Sequence, residues 1–337
     1  MKQKAICLLG VAVAGCLAAT TVSPAVADEA ALSPYEALQA IDAESAEFSG
    51  QDVLTSLAGV DAEEDGEYAV DETVADSTVT VPSDPADPVE ILADDISLTV
   101  KLPGADTSSD ASVPAEGVVE YENSEGFSVF PLVKDDASVQ FTTVINGPDA
   151  PTSYEYVIGE SDLTVEIAPD GYALFSDVNG DFAGASLPAW AVDANGVAVP
   201  THFEADGNVL RQVVSHTDTS VAYPVVADPY MGKALISKVT KTTEKKKPRY
   251  GVKKTTWGNT VAIGYGLGPS EDPLLGAYIM RTQGWSEAVK KGTSTAKTIK
   301  QQYDCHTVFA AGKNPWNLEA HRATRNNWLV SPKLCNW

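Results

Sequence analysis

The sequence predicts a multidomain protein: an acidic, disordered spacer, an all-β, sandwich-like middle domain and a small α+β C-terminal domain with one disulfide. Three observations carry that prediction. Charge is segregated, because residues 28–231 hold 3 basic and 41 acidic side chains, a net of −38, whereas residues 232–337 hold 18 basic and 6 acidic, a net of +12. Between 89 and 228 apolar residues recur with period two and Asx-Gly pairs interrupt them. The tail then changes to helical spacing and carries two of the four cysteines. With 44% apolar positions over 337 residues there is material for a real core, which excludes a wholly disordered chain.

Residues 1–27 read as an export signal. Lys2 and Lys4 supply the charged start, residues 5–22 the apolar stretch, and Ala25-Val26-Ala27 a small-x-small cleavage site before Asp28. The expected product is secreted, with cleavage after Ala27. Val13-Ala14-Gly15-Cys16 has the shape of a lipobox within the same stretch, and its use would make Cys16 an acylated first residue that anchors the protein at the cell surface. Past residue 27 no apolar run approaches the roughly 18 residues of a membrane span, so no transmembrane span is expected.

Residues 28–88 contain 17 acidic side chains and no Lys or Arg. Ser33-Pro34-Tyr35-Glu36 forms a capping box with proline at the first helical position, and Leu38 and Ile41 follow as a short apolar stripe, so one helix is expected. The stretch 61–87 is Asp, Glu, Ser, Thr and Pro with scattered Val. That composition buries too little apolar surface to offset its ordering entropy and predicts a flexible spacer.

From 89 to 231 the strand candidates are Ile91, Ile96-Leu98-Val100, Val129, Val139-Phe141, Tyr154-Tyr156-Ile158, Leu163-Val165-Ile167 and Val197-Val199. Asn146-Gly147, Asp170-Gly171, Asn179-Gly180, Asn195-Gly196 and Asp206-Gly207 are candidate turns that use positive φ. Asp177-Val178-Asn179-Gly180-Asp181 resembles the start of a calcium loop, but Phe182 stands where the EF-hand needs glycine, so a hairpin turn is the better reading.

The tail, 232–337, is expected to open with a strand at 235–239 whose partner is 255–265, joined by a basic connection at 241–254. Helices should follow, one with Tyr278, Trp285 and Val289 on one side and one over 295–309, before a loop-rich end holding Trp316, Trp328 and Trp337. Cys7 and Cys16 belong to the leader. Cys305 and Cys335 therefore remain in an exported product and should pair, closing a loop worth about 3 to 4 kcal/mol in the chain-entropy model. A zinc site from Cys305, His306, His321 and Cys335 has poor spacing, and no metal or other cofactor is expected.

Thr201-His202 through Gly207-Asn208, Val213-Val214-Ser215-His216 and Tyr223-Pro224-Val225-Val226-Ala227-Asp228-Pro229 resemble a segment of secreted actinobacterial proteins whose C-terminal domains differ. That resemblance implies a presentation module with the activity beyond it. Gln301-Gln302-Tyr303-Asp304-Cys305-His306, Lys313-Asn314-Pro315-Trp316-Asn317-Leu318-Glu319 and Cys335-Asn336 resemble domain of unknown function 2599, the C-terminal part of exported actinobacterial proteins. The chain departs from that pattern at His321-Arg322-Ala323, where arginine-proline is expected, and at Trp337, where proline is expected. The resemblance implies the compartment and the domain boundary and brings no activity.

Two chemistries fit the tail. In the first, Lys245, Lys246, Lys247, Arg249, Lys253 and Lys254 bind an anionic partner: a cell-wall polymer, a lipid head group or nucleic acid. The −38 region would mask this charge until the two are separated, as a pro-segment would; the plainer alternative is a solvated lysine loop balanced by the acidic front. The second chemistry makes the tail of a secreted toxin a metal-free nuclease, with Glu319 as base, His306 or His321 as acid and Arg322, helped by Arg325, holding the phosphoryl charge. The structural readings of the same residues are that His306 packs beside the disulfide, Glu319 pairs with Arg322, and His321 is exposed. No Gly-x-Ser-x-Gly, Walker, His-Glu-x-x-His or dinucleotide motif is present.

Overall fold

Ser33 starts the first described element. In the computed structural model, which describes residues 32–45, 53–54, 56–75, 77–93, 96–168, 171–180, 182–263, 273–326, 335 and 337, helix α1 (Pro34–Ser45) opens on the expected capping box. Ser33 N–H donates to Glu36 Oε2 (2.9 Å) and Glu36 N–H to Ser33 Oγ (3.2 Å). Leu38 is buried with Phe130, Leu132 and Val226. The expected export signal, its expected cleavage site and Cys16 lie outside the described residues.

Seventeen strands follow before the tail: β1 (Tyr68–Val74), β2 (Ser77–Pro82), β3 (Val89–Ala93), β4 (Ile96–Lys101), β5 (Ser112–Ala115), β6 (Val118–Asn123), β7 (Phe127–Val133), β8 (Val139–Ile145), β9 (Ser153–Ile158), β10 (Thr164–Ile167), β11 (Ala173–Ser176), β12 (Phe182–Ser186), β13 (Trp190–Val192), β14 (Thr201–Asp206), β15 (Val209–Val214), β16 (Val225–Asp228) and β17 (Tyr230–Gly232). They form a seven-stranded sheet in the order β1-β2-β3-β4-β9-β15-β14 and a ten-stranded sheet in the order β10-β11-β12-β17-β8-β7-β6-β5, with β16 on β8 and β13 on β16. One core takes side chains from both sheets: Val79, Val81, Leu98 and Leu210 from the first, Tyr121, Val129 and Phe175 from the second. Across it Phe127 meets Tyr154 edge-on at 5.1 Å, and Phe141 lies 5.9 Å from Tyr156.

Two expectations need correction here. The stretch 61–87 is not a spacer, because β1 and β2 lie within it; Val70, Val79 and Val81 are buried while Asp71 is exposed. Composition averaged over a window hides alternation, and the valines find their apolar partners on other strands. Val197-Val199 is not a strand but a loop with Val197 exposed, joined to β13 by a single bridge from Val192 to Ala198. The turn readings hold at Gly171, Gly180, Gly196 and Gly207, all with positive φ, and Asp177 Oδ1 accepts the Asn179 N–H (2.8 Å) in the hairpin turn between β11 and β12.

The tail comprises β18 (Ile236–Glu244), β19 (Lys247–Lys254), α2 (Thr256–Ile263), α3 (Pro273–Ile279), a π-helical turn at Met280–Gly284, α4 (Trp285–Lys290), α5 (Lys297–Phe309) and β20 (Trp316–Glu319). β18-β19-β20 form a separate antiparallel sheet. The basic connection is thus itself the partner strand, and 256–263 is helix, started by Thr255 Oγ1 accepting the Gly258 N–H (2.7 Å). The expected face of the next helix is also shifted. Tyr278 is exposed, and the π-helical turn brings Met280, Gly284 and Ala288 inward; a Cβ on Gly284 would come within 2.7 Å of the Tyr303 hydroxyl.

No linker separates body from tail at residue 232. Leu32–Trp337 form one compact unit, and a second core joins Tyr172, Leu187 and Tyr230 to Leu235, Trp257, Tyr303 and Trp316. The Asp136 carboxylate, 5% exposed, accepts the Ser138 N–H (3.0 Å) and the Trp257 N–H at the start of α2. Asp228 is buried and bonded to Gln140, and burial pushes its carboxyl up to about 8. The Asp228-Pro229 bond therefore sits inside the core, which argues against release of the tail there. Asp136→Ala should cost about 2 to 4 kcal/mol, because it orphans a buried helix-terminal N–H. Chemical unfolding followed by tryptophan fluorescence and by far-UV circular dichroism should show one coincident transition; two transitions would mean that body and tail fold independently.

Candidate functional site

The site is built on the three-stranded sheet. β18 and β19 are joined by Lys245 and Lys246, both exposed and both at positive φ (48° and 64°), the geometry of a two-residue hairpin turn normally given to Asn-Gly. The register pairs Val239 with Val252, Val252 with Trp316 and Tyr250 with Leu318, and these side chains face the second core. Alternation then places Lys238, Thr242, Glu244, Lys247, Arg249, Lys253 and Glu319 on the opposite face. Lys238 and Lys253 are cross-strand partners and both exposed.

This parity removes Lys254 from the anion-binding set. Lys254 is 1% exposed, and its Nζ donates to the carbonyls of Ala311 (2.6 Å) and Lys313 (2.7 Å) while lying 4.1 Å from the centre of the Trp316 ring. Burial pushes its ammonium down to about 7. Lys245, Lys246, Lys247 and Lys253 are exposed as expected, and Arg249 is half-buried with its Nε 3.6 Å from Glu244 Oε2.

The proposed acid–base residues divide. His306 is 1% exposed on α5, its Nδ1 donates to the Gln302 carbonyl (2.7 Å), and its ring lies 5.9 Å from that of Trp316. Burial pushes it down to about 4, and a ring packed this deeply has no face open to a substrate, so His306 is a packing residue and not the expected acid. It neighbours Cys305, which is bonded to Cys335 with 5.4 Å between Cα atoms. Arg325 is exposed, with its guanidinium 5.7 Å from the Trp337 ring.

Glu319, His321 and Arg322 do converge. The fully buried Gln302 amide grips the Glu319 backbone, donating to its carbonyl (3.1 Å) and accepting its N–H (2.9 Å), so a side chain stands in for a fourth strand. Glu319 and Arg322 are ion-paired, and Arg322 also donates to the Trp337 carbonyl. One ligand atom each of Glu244, Glu319 and His321 lie within 4.8 Å of one another. Arg249 Nε and His321 Nδ1 are buried atoms with no hydrogen-bond partner among the described residues. The spacing could suit a cation, but Arg249 and Arg322 already neutralise the two carboxylates. Glu244 and Lys238 were missed in the sequence, since only the Lys-Lys turn brings them onto this face and Lys-Lys carries no turn signal.

No family model matches the chain, and no curated protein or solved structure matches it. Among the described residues, no helix is long and apolar enough to cross a membrane.

Two outcomes follow from the buried groups. Mass spectrometry should find no free thiol at Cys305 or Cys335, and reduction should cost about 3 to 4 kcal/mol in the chain-entropy model. His306 should bind its proton more readily unfolded than folded between pH 4 and 6.5, so stability should fall on acidification through that window, by about 3 kcal/mol from this group. In His306→Asn, whose amide can replace the Nδ1 donor, calorimetry should show that part of the acid sensitivity gone; an unchanged profile would assign the sensitivity to other groups.

Proposed function

We propose that this chain is an exported protein that binds a phosphate-rich anionic polymer through the outer face of the β18-β19-β20 sheet. The observation that carries the reading is the direct pairing of Lys238 with Lys253 on the same exposed face as Lys247 and Arg249, with Lys245 and Lys246 at the hairpin tip. Like charges directly opposite each other destabilise a sheet, and an anion laid across them reverses that cost. Support for export remains the charged, apolar and small-residue order of the leader, with Cys16 as the alternative lipid anchor. Because body and tail share a core, the intact chain is the binding species. Its −38 segment weakens the attraction at long range and leaves recognition to close contacts.

Fluorescence anisotropy with a labelled RNA oligonucleotide, purified teichoic acid and anionic lipid vesicles tests this reading and identifies the source of the phosphate. Five lysine–phosphate contacts on a single strand predict about a 100-fold loss of affinity between about 50 and 200 mM salt. Replacing Lys245, Lys247 and Lys253 together by Glu should abolish binding while the far-UV circular dichroism spectrum stays that of the parent protein. Salt-independent binding, or full binding by that variant, would overturn the proposal.

A further inference from the structure

Resting on that binding reading, we infer that the same sheet face holds a metal-independent RNA-cleaving site, with Glu319 as general base, His321 as general acid and Arg249 as the phosphoryl-oxygen donor. The cluster combines what such chemistry needs. A carboxylate and an imidazole lie within 4.8 Å of each other, close enough to act on the two sides of one phosphodiester. Glu319 is 8% exposed and clamped through its backbone by Gln302, so its position is set before substrate arrives. Arg322, paired with Glu319, is a positioning residue that orients the carboxylate.

Two donors stand beside the carboxylate. The Arg249 side chain is 38% exposed with its Nε 3.6 Å from Glu244, and half-buried His321 makes no hydrogen bond through Nδ1 among the described residues. An incoming phosphodiester meets the solvent-reaching part of each side chain, its non-bridging oxygen accepting from the Arg249 guanidinium and its 5′-oxygen from the His321 ring. Lys247 and Lys253, on the same face, take the flanking phosphates.

RNA is the substrate class because its 2′-hydroxyl is an internal nucleophile that requires no metal-activated water. Glu319 accepts the 2′-hydroxyl proton as the 2′-oxygen bonds to phosphorus. The bond from phosphorus to the 5′-oxygen breaks, and His321 gives its proton to that oxygen. The products are a 2′,3′-cyclic phosphate and a 5′-hydroxyl, and exchange with water returns a proton from Glu319 to the bulk and one to His321. Arg249 opposes the charge that builds on the pentacoordinate phosphorus.

The test incubates the full chain with a 5′-labelled RNA oligonucleotide in EDTA and follows cleavage, anisotropy and thermal melting on one preparation. The expected result is cleavage leaving a cyclic phosphate by mass spectrometry, no cleavage of the same oligonucleotide made in DNA, and a roughly 10²- to 10⁴-fold loss of turnover in Glu319→Gln and in His321→Asn with RNA affinity retained. Should Glu319→Gln unfold, His321→Asn carries the test, because its ring lies at the half-exposed edge of the sheet. RNA bound with the expected salt dependence but left intact would overturn this inference and leave the binding reading standing. Absence of RNA binding would overturn this inference, and absence of binding to RNA, teichoic acid and anionic vesicles alike would overturn both. Cleavage that appears only with added divalent metal, or that survives in both variants, would overturn the assignment to these residues.

Discussion

The Asp136 carboxylate under the first turn of α2 is the constraint from which the arrangement of the molecule follows. A helix start carries unpaired N–H groups, and here the acceptor for one of them comes from 121 residues earlier, in the loop between two strands of the body. A buried carboxylate without donors would be costly, so Asp136 also takes the Ser138 N–H and hydroxyl. Trp257 is thereby held against Tyr230, with ring centres 5.5 Å apart, and lies over Gly232, where a Cβ would fall 2.9 Å from the indole. The acidic body and the basic tail, opposite in charge, consequently share apolar surface instead of meeting through a linker.

Inside the tail the same device recurs with other groups. Glu287, 6% exposed, accepts the N–H groups of Leu235 (2.8 Å) and Ile236 (2.9 Å), Lys254 satisfies the carbonyls of Ala311 and Lys313, and the Gln302 amide pairs with the Glu319 backbone. Each polar side chain terminates a backbone segment that no strand or helix partner reaches. Such groups add little net stability once their own desolvation is counted, but each wrong arrangement leaves one unpaired, so they select one packing of a small domain. The disulfide between Cys305 and Cys335 ties the chain end back onto the same helix that carries Gln302 and His306.

That organisation separates the tail's cations by role. Lys254 is structural, Arg322 positions a carboxylate, and Lys238, Lys245, Lys246, Lys247 and Lys253 remain in solvent. The segregated charge that is so plain in the sequence therefore resolves into lysines that face solvent, those of the outer sheet face among them, and cations such as Lys254 and Arg322 that are held by the fold.

Much was legible in the residues themselves. The capping box at Ser33, most of the period-two runs of the body, four of the five glycine turns, the helix ending at Phe309 and the pairing of the only two cysteines in residues 28–337 all follow from local chemistry, which acts within a few residues or by elimination. The fate of individual side chains does not. β1 and β2 are strands because distant strands cover their valines, which a window of acidic residues cannot reveal. Lys253 is exposed and Lys254 buried because a hairpin closed by two lysines sets the register, and a slip of one residue would exchange every side chain between faces. Likewise His306 and His321 differ only in where they pack, the first beneath Trp316 and the second beside Glu244. Sequence determined the elements and the charge; long-range pairing alone decided which charges face the solvent, because burial belongs to the contacts and not to the residue.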